Sequence, residues 1–95
     1  MNTSNDVYVK AIKKIISEQE SIIGPLAFDQ ARKVAGLQIS PNRDISLVGN
    51  AKDVLSHLVE QYEHFFGRAS IEVCKDALRQ VNPNLSSEDL PDILK

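Results

Sequence analysis

The stretch Ala11-Ile12-Lys13-Lys14-Ile15-Ile16-Ser17-Glu18-Gln19-Glu20-Ser21-Ile22-Ile23-Gly24 returns, 43 positions later, as Val54-Leu55-Ser56-His57-Leu58-Val59-Glu60-Gln61-Tyr62-Glu63-His64-Phe65-Phe66-Gly67. Apolar positions coincide at every step but one, where Gln19 lies over Tyr62, and Glu20/Glu63 and Gly24/Gly67 are identities. At about 100° per residue, Val54, Leu55, Leu58, Val59, Tyr62, Phe65 and Phe66 fall in an arc of roughly 140°, the width of a core-facing helical stripe. Asn50 can cap this helix, with Asp53 in its first turn. Gly67 ends it, because the residue after a helix often adopts a left-handed conformation that glycine takes without strain. Gly24 plays the same part in the first copy, and Pro25 then opens a new helix where no backbone donor is needed.

Beyond the glycine the two copies still pair by character: Leu26/Ala69, Phe28/Ile71, Ala31/Cys74, Val34/Ala77 and Ala35/Leu78 are apolar, and Asp29/Glu72 and Arg32/Lys75 match in charge. The second helix of each copy is expected from Pro25 to Gly36 and from Arg68 to Val81. The fold expected is therefore all-α: four main helices as two similar helix-Gly-helix hairpins, residues 5–36 and 50–81, around a pseudo-twofold axis. The expected core includes Ile12, Ile15, Ile16, Ile22, Ile23, Leu55, Leu58, Val59, Tyr62, Phe65, Phe66 and Cys74. Gln19 is the one polar residue in an apolar stripe, so Gln19 and the Tyr62 hydroxyl mark where the hairpins meet or where a second subunit docks.

The connector 37–49 is open to two readings. Leu37, Ile39, Ile45 and Leu47 alternate around Pro41-Asn42-Arg43-Asp44, which suits a small hairpin. Alternatively Ser40 caps a short helix with Pro41 at its first position and Gly49 at its end; loop or short strands is the preferred reading. The tail, 82–95, mixes turn formers with acids and has room for a short helical turn capped at Ser86 or Ser87.

Ninety-five residues suffice for one small domain with a modest core. The chain is 42% hydrophobic and 25% charged, with a net charge of -2, values that argue against disorder and against a strongly basic nucleic-acid binder. One cysteine, Cys74, excludes an intrachain disulfide and a four-cysteine zinc site. The polar N-terminus lacks a secretory pattern and no apolar run is long enough to span a membrane, so a cytoplasmic protein without membrane association is expected.

Asp53, His57, Glu60 and His64 fall within an arc of about 60° on the face opposite the apolar stripe. Such side chains on adjacent turns can share a metal or pass a proton, but an outward face neither excludes water nor holds ligands rigid. The reading is a solvated or partner-facing stripe without metal or cofactor. The corresponding face of the first helix carries Lys10, Lys14, Ser17 and Ser21. One face is basic and the other acidic with two histidines, an asymmetry that can orient a partner or a second copy of the chain. Histidines beside carboxylates would make such a contact sensitive to pH between roughly 6 and 7. Cys74, on an inward side, reads as a small core residue.

Ala31-Arg32-Lys33-Val34-Ala35-Gly36-Leu37-Gln38-Ile39-Ser40 has the outline of a helix-turn-helix, with a reading helix starting at Ser40. Only Asn42 and Arg43 would face bases or phosphates, and DNA affinity needs several cations on one surface. A small DNA-binding regulator is thus an alternative, and an enzyme or metal protein with its site at a dimer interface a second one.

The run Ile22-Ile23-Gly24-Pro25-Leu26-Ala27, followed by Ala31-Arg32-Lys33-Val34-Ala35, is similar to a helical module of bacterial signalling proteins, often appended to serine/threonine kinase or response-regulator chains. Tyr62-Glu63-His64-Phe65-Phe66-Gly67 looks like a second copy of its corner. The chain is expected to depart from the module's usual setting by standing alone, without an attached receiver or kinase. The resemblance implies interaction or regulation and carries no catalytic residues across. The expectation is a non-enzymatic protein–protein interaction module of intracellular bacterial signalling, with homodimerisation able to bury apolar surface that a thin core leaves over.

Overall fold

The computed structural model describes residues 5–81 and 85–95. Four helices and one small antiparallel hairpin follow in the order α1 (Asn5–Ile23), α2 (Leu26–Ala31), β1 (Leu37–Ile39), β2 (Ile45–Leu47), α3 (Ala51–Phe66) and α4 (Ala69–Arg79), and a 3-10 turn at Asp92–Leu94 closes the chain. The protein is predominantly helical.

Helix α3 begins where Asn50 accepts the Asp53 amide on its side-chain oxygen at 2.9 Å, so one orphan donor of the first turn is satisfied. It ends at Gly67, whose φ of 84° and ψ of 179° form a backbone conformation essentially confined to glycine. This is a positive-φ corner, but with extended ψ it differs from the left-handed cap expected of it. The Gly67 amide reaches the Glu63 carbonyl at 2.8 Å, and the Gly24 amide reaches the Glu20 carbonyl at the same distance. Gly24 also has positive φ, and Pro25 follows immediately before α2.

Helix α2 is six residues long and stops at Ala31, well short of the expected Gly36. Past Ala31 the backbone tightens: the Lys33 and Val34 amides bond to the carbonyls of Gln30 and Ala31, three residues back. These tight turns carry the chain on through Val34 and Leu37, both in the core at 6% and 5% exposure. Gly36 makes this possible. It has φ of 84°, its carbonyl accepts the Val48 amide at 2.7 Å, and a Cβ there would lie 2.5 Å from the Val48 oxygen and 2.9 Å from Val54 Cγ2. Helix α4, by contrast, matches its expected span to within two residues.

The connector is a hairpin with the register Leu37↔Leu47, Gln38↔Ser46 and Ile39↔Ile45. Ser40 closes its tip: the Ser40 amide donates to Asp44 O and the Arg43 amide to Ser40 O, both at 2.9 Å, and the Asp44 amide donates to Ser40 Oγ at 3.1 Å. Arg43 takes positive φ, 68°, the left-handed position that a three-residue hairpin loop requires. No helix follows Ser40, so the helix-turn-helix outline is not realised here.

Ile12, Ile15 and Ile16 of α1 meet Leu55, Leu58, Val59 and Tyr62 of α3 in one core, with Ala27, Ala31, Cys74 and Ala77 contributing small side chains from α2 and α4. The small residues let α4 lie close along α1. Two expected core residues are not buried: Ile22 is 64% and Phe65 51% exposed. Both sit in the last turn before a glycine corner and at the same edge of their stripe, about 20° from its rim. Ala11 and Val54, on the same rim but earlier in each helix, are buried, so the exposure belongs to the last turn and not to the edge as a whole. Ile23 and Phe66, one residue on, are half-buried against the core.

The tail returns across the helices. Ser86 Oγ donates to Asp89 Oδ2 at 2.9 Å within a turn, and the 3-10 turn after Pro91 buries Leu94. The Tyr8 hydroxyl donates to Asp89 O at 2.9 Å and Lys52 Nζ to Glu88 O at 3.0 Å, tying the tail to the starts of α1 and α3. The first three tail residues, 82–84, lie outside the described residues. Among the described residues no helix is long and apolar enough to cross a membrane.

Candidate functional site: outward helix faces and a central polar crossing

The α3 stripe points outward as its spacing requires, and Asp53, His57, Glu60 and His64 are all exposed. The tertiary structure divides the four. Asp53 and Glu60 line a shallow cleft of about 360 Å³ with Lys52 and Ser56, walled on its far side by Pro91, Asp92 and Ile93 of the tail. The two histidines do not line it. Among the described residues no group of three or more His, Cys, Asp or Glu side chains is placed to hold a metal ion. One reason is geometric: ligands fanned along a convex helix diverge into solvent unless a second element supplies the rest of the shell.

On α1, Lys10 is exposed, whereas Lys14 is half-buried and pairs with Glu18 at 3.3 Å. Ser21 Oγ donates to Ser17 O at 3.3 Å along the same helix. Part of the basic stripe is therefore spent within α1. Among the described residues no hydrogen bond or ion pair joins Lys10 or Lys14 to the α3 stripe. The two faces are separate surfaces.

At the end of α3, the exposed Phe65 ring stands 4.9 Å from the His64 ring, edge to face, and Lys33 Nζ lies 5.6 Å from its centre. A cation over an aromatic face is attracted by the ring quadrupole, so Lys33 is drawn to Phe65 without covering it. The nearby corner at Gly24 exposes Ile22 and, at 48%, Leu26. On another side, Arg43 from the hairpin tip lies 4.3 Å over the Phe28 ring and bonds Glu20 with both guanidinium nitrogens, the shorter bond being 2.9 Å. That contact fastens the hairpin to α1 and α2.

Buried polar bonds cross the interior between helices. Gln19 Nε2, on α1, donates to Ser70 O at 3.2 Å and to Cys74 Sγ at 3.6 Å, both on α4. The Tyr62 hydroxyl, on α3, donates to Ala27 O on α2 at 2.7 Å. Gln19 is 1% and Tyr62 0% exposed, and no buried side-chain nitrogen or oxygen among the described residues lacks a partner. These bonds answer the question that Gln19 raised in the sequence: it marks the join between the helix pairs. Burial pushes the Cys74 thiol up to about 11, with the Gln19 hydrogen bond offsetting part of the rise. Burial first, and the neighbouring Cys74 second, raise the Tyr62 phenol well above the usual tyrosine range. A thiol held neutral in a closed interior is not a nucleophile at ordinary pH.

Sequence reasoning missed Ser70 and Ala27, because each contributes a backbone carbonyl that no side-chain pattern announces. It missed the exposure of Phe65 and Ile22 because a helical wheel gives the angle of a residue and not the reach of its neighbours.

Compared with protein-family models, curated proteins and solved structures, the chain matches none.

Proposed function

We propose that the chain is a non-enzymatic protein–protein interaction or regulatory module of intracellular bacterial signalling, built from two copies of one helix-Gly-helix hairpin. Three correspondences support the repeat. The Glu20–Gly24 and Glu63–Gly67 bonds have equal length, and Ile22 and Phe65, at matching positions before the glycine, are both exposed. The crossing bonds correspond as well: Gln19 on Ser70 and Tyr62 on Ala27 exchange under the same 43-residue offset that aligns the helices. The similarity of the Ile-Gly-Pro-x-Ala corner to bacterial signalling modules points the same way.

The observation that carries the interaction reading is Phe65, 51% exposed in a helix whose stripe is otherwise buried or, at Phe66, half-buried, with His64 and Lys33 beside it. Full burial of a phenylalanine stabilises by roughly 1.5–3 kcal/mol, so a partner covering the open half gains about 1 kcal/mol from this ring alone. Aromatic side chains, phenylalanine among them, are enriched at protein–protein interfaces relative to the rest of the surface. The acidic pair Asp53 and Glu60, and Lys10 on the opposite helix, set the orientation of approach.

The test is a pull-down of the tagged chain from its native cytoplasm, in parallel with Phe65→Ser and with the double charge reversal Asp53→Lys/Glu60→Lys. A protein retained by the native chain and lost from both variants supports the reading and places the contact. Retention by both variants removes these surfaces from it. Recovery of nucleic acid in place of protein would move the assignment to a DNA regulator.

A further inference from the structure

The clefts of the surface differ in chemistry. The one beside the start of α1 is lined by Asn5, Tyr8, Asn50 and Asp89, and the one on α3 by Asp53, Glu60 and Asp92; both are polar and carry acids. A third, between α4 and the returning tail, is different. Its floor is Leu78 of α4 with Leu85, Leu90 and Leu94 of the tail, and its volume is about 340 Å³. Its rim is cationic: Lys75 and Arg79 on α4, and Lys95 beyond the 3-10 turn.

We infer that this cleft binds a small amphipathic anion, an aliphatic chain carrying one carboxylate, with the chain on the leucines and the head between Lys75 and Arg79. Leu78, Leu85 and Leu90 are only partly buried, so their faces toward the cleft are wet and gain from being covered. Among the described residues no carboxylate side chain lines the cleft. The acids that pair with its cations, Glu72 with Lys75 at 3.6 Å, Asp92 with Lys95 at 3.6 Å and Asp76 with Arg79, stand outside it. These are solvent-accessible pairs three residues apart, with only Lys75 half-buried, and weak enough for a bound carboxylate to compete for the same nitrogens. An anion is therefore favoured over a neutral or cationic ligand of the same shape. The volume lies at the small end of ligand clefts, which suits a chain of about ten carbons or fewer. Helix α4 and the tail supply opposite walls, so the site depends on the docking of the tail through Tyr8 and Lys52. It is separate from the Phe65 surface and stands or falls independently of the interaction reading.

The experiment is a titration of the isotope-labelled full chain with sodium decanoate below its micelle concentration, followed by amide chemical shifts. Saturable shifts confined to residues 75–79 and 85–95 are expected, with affinity rising about two- to fourfold per methylene from hexanoate to decanoate. Lys75→Glu/Arg79→Glu changes one half-buried and one exposed side chain at the rim, with retention of the fold checked by circular dichroism, and should weaken decanoate by about tenfold or more. Decanol, which lacks the charge, should bind the native chain no better than decanoate binds that variant. Linear, non-saturating shifts, shifts centred elsewhere, or equal binding by the charge-reversed variant would each overturn the assignment.

Discussion

Removing one oxygen atom tests the central crossing. In Tyr62→Phe the ring that fills the core stays, and only the hydroxyl that donates to Ala27 O at 2.7 Å is lost. Both ends of that bond lie where water does not reach, Tyr62 and Ala27 each being 0% exposed. A buried hydrogen bond contributes about 1 kcal/mol net, and leaving its acceptor without that donor in a dry site adds to the loss, so the variant should be less stable by about 1–2 kcal/mol. For a domain of this size each kcal/mol lowers the melting temperature by roughly 4–8 °C, which predicts a drop of about 4–16 °C. Urea and thermal denaturation followed by circular dichroism read it directly. Tyr8→Phe is the control: its hydroxyl also donates to a backbone carbonyl, Asp89 O at 2.9 Å, but in a partly solvated place, and should cost less than about 1 kcal/mol. Gln19→Leu extends the test. Gln19 donates to the Cys74 sulfur and the Tyr62 phenol feels the same Cys74, so the two substitutions share a neighbour and should couple by about 0.5 kcal/mol or more in a double-mutant cycle. A loss below about 0.3 kcal/mol in Tyr62→Phe would refute the reasoning, since no buried bond of that length is worth so little.

Other expectations follow from the same geometry. Gly36→Ala should be the most damaging glycine substitution, above about 2 kcal/mol, because the new Cβ meets a backbone oxygen at 2.5 Å in addition to positive-φ strain; Gly67→Ala, with open space around it, should cost about 1–2 kcal/mol from strain alone, as equilibrium unfolding will show. Stability should fall in alkali. The thiol of Cys74 is raised from 9.0 to about 11, so above pH 9 the unfolded chain loses a proton that the folded chain keeps; its contribution, complete below pH 9, is lost between about pH 9 and pH 11 and amounts to about 2–3 kcal/mol, with Tyr62 acting in the same direction. Cys74→Ser should flatten that part of the pH profile, and an unchanged slope would exclude the thiol as its source. Arg43→Ala should cost about 0.5–1 kcal/mol by loss of the Glu20 pair and the Phe28 contact, less at high salt, and loosen amide protection in the hairpin when hydrogen exchange is measured.

Much of this molecule can be read from local chemistry. A cap at Asn50, an apolar stripe and a glycine stop define α3 without reference to anything distant, because all three act within a few residues of backbone. The corner at Gly24–Pro25 and the inward position of Cys74 follow in the same way. The outward stripe Asp53, His57, Glu60 and His64 is also a matter of angle alone, and the structure leaves it exposed. A lone polar residue in an apolar stripe announces a buried partner, so Gln19 was legible as a join even though Ser70 was not.

Long-range contacts settled the rest. Helix α2 has the composition to run on to Gly36, yet it stops at Ala31, and the chain turns to bring Gly36 against β2's exit, where its carbonyl accepts the Val48 amide and no Cβ would fit. Local pattern allowed either a hairpin or a short helix at 37–49; the pairing of Leu37 with Leu47, and the hold of Glu20 and Phe28 on Arg43, selected the hairpin. The periodicity that placed Ile22 and Phe65 on the inner stripe could not reveal that each lies past the end of its neighbours. Helical period, caps and glycine corners are properties of residues a few positions apart, and the amino-acid order determines them. Which stripe edge is covered, where a helix ends early, and which carbonyl meets a buried amide depend on segments brought together from across the chain, and only the tertiary structure decides them.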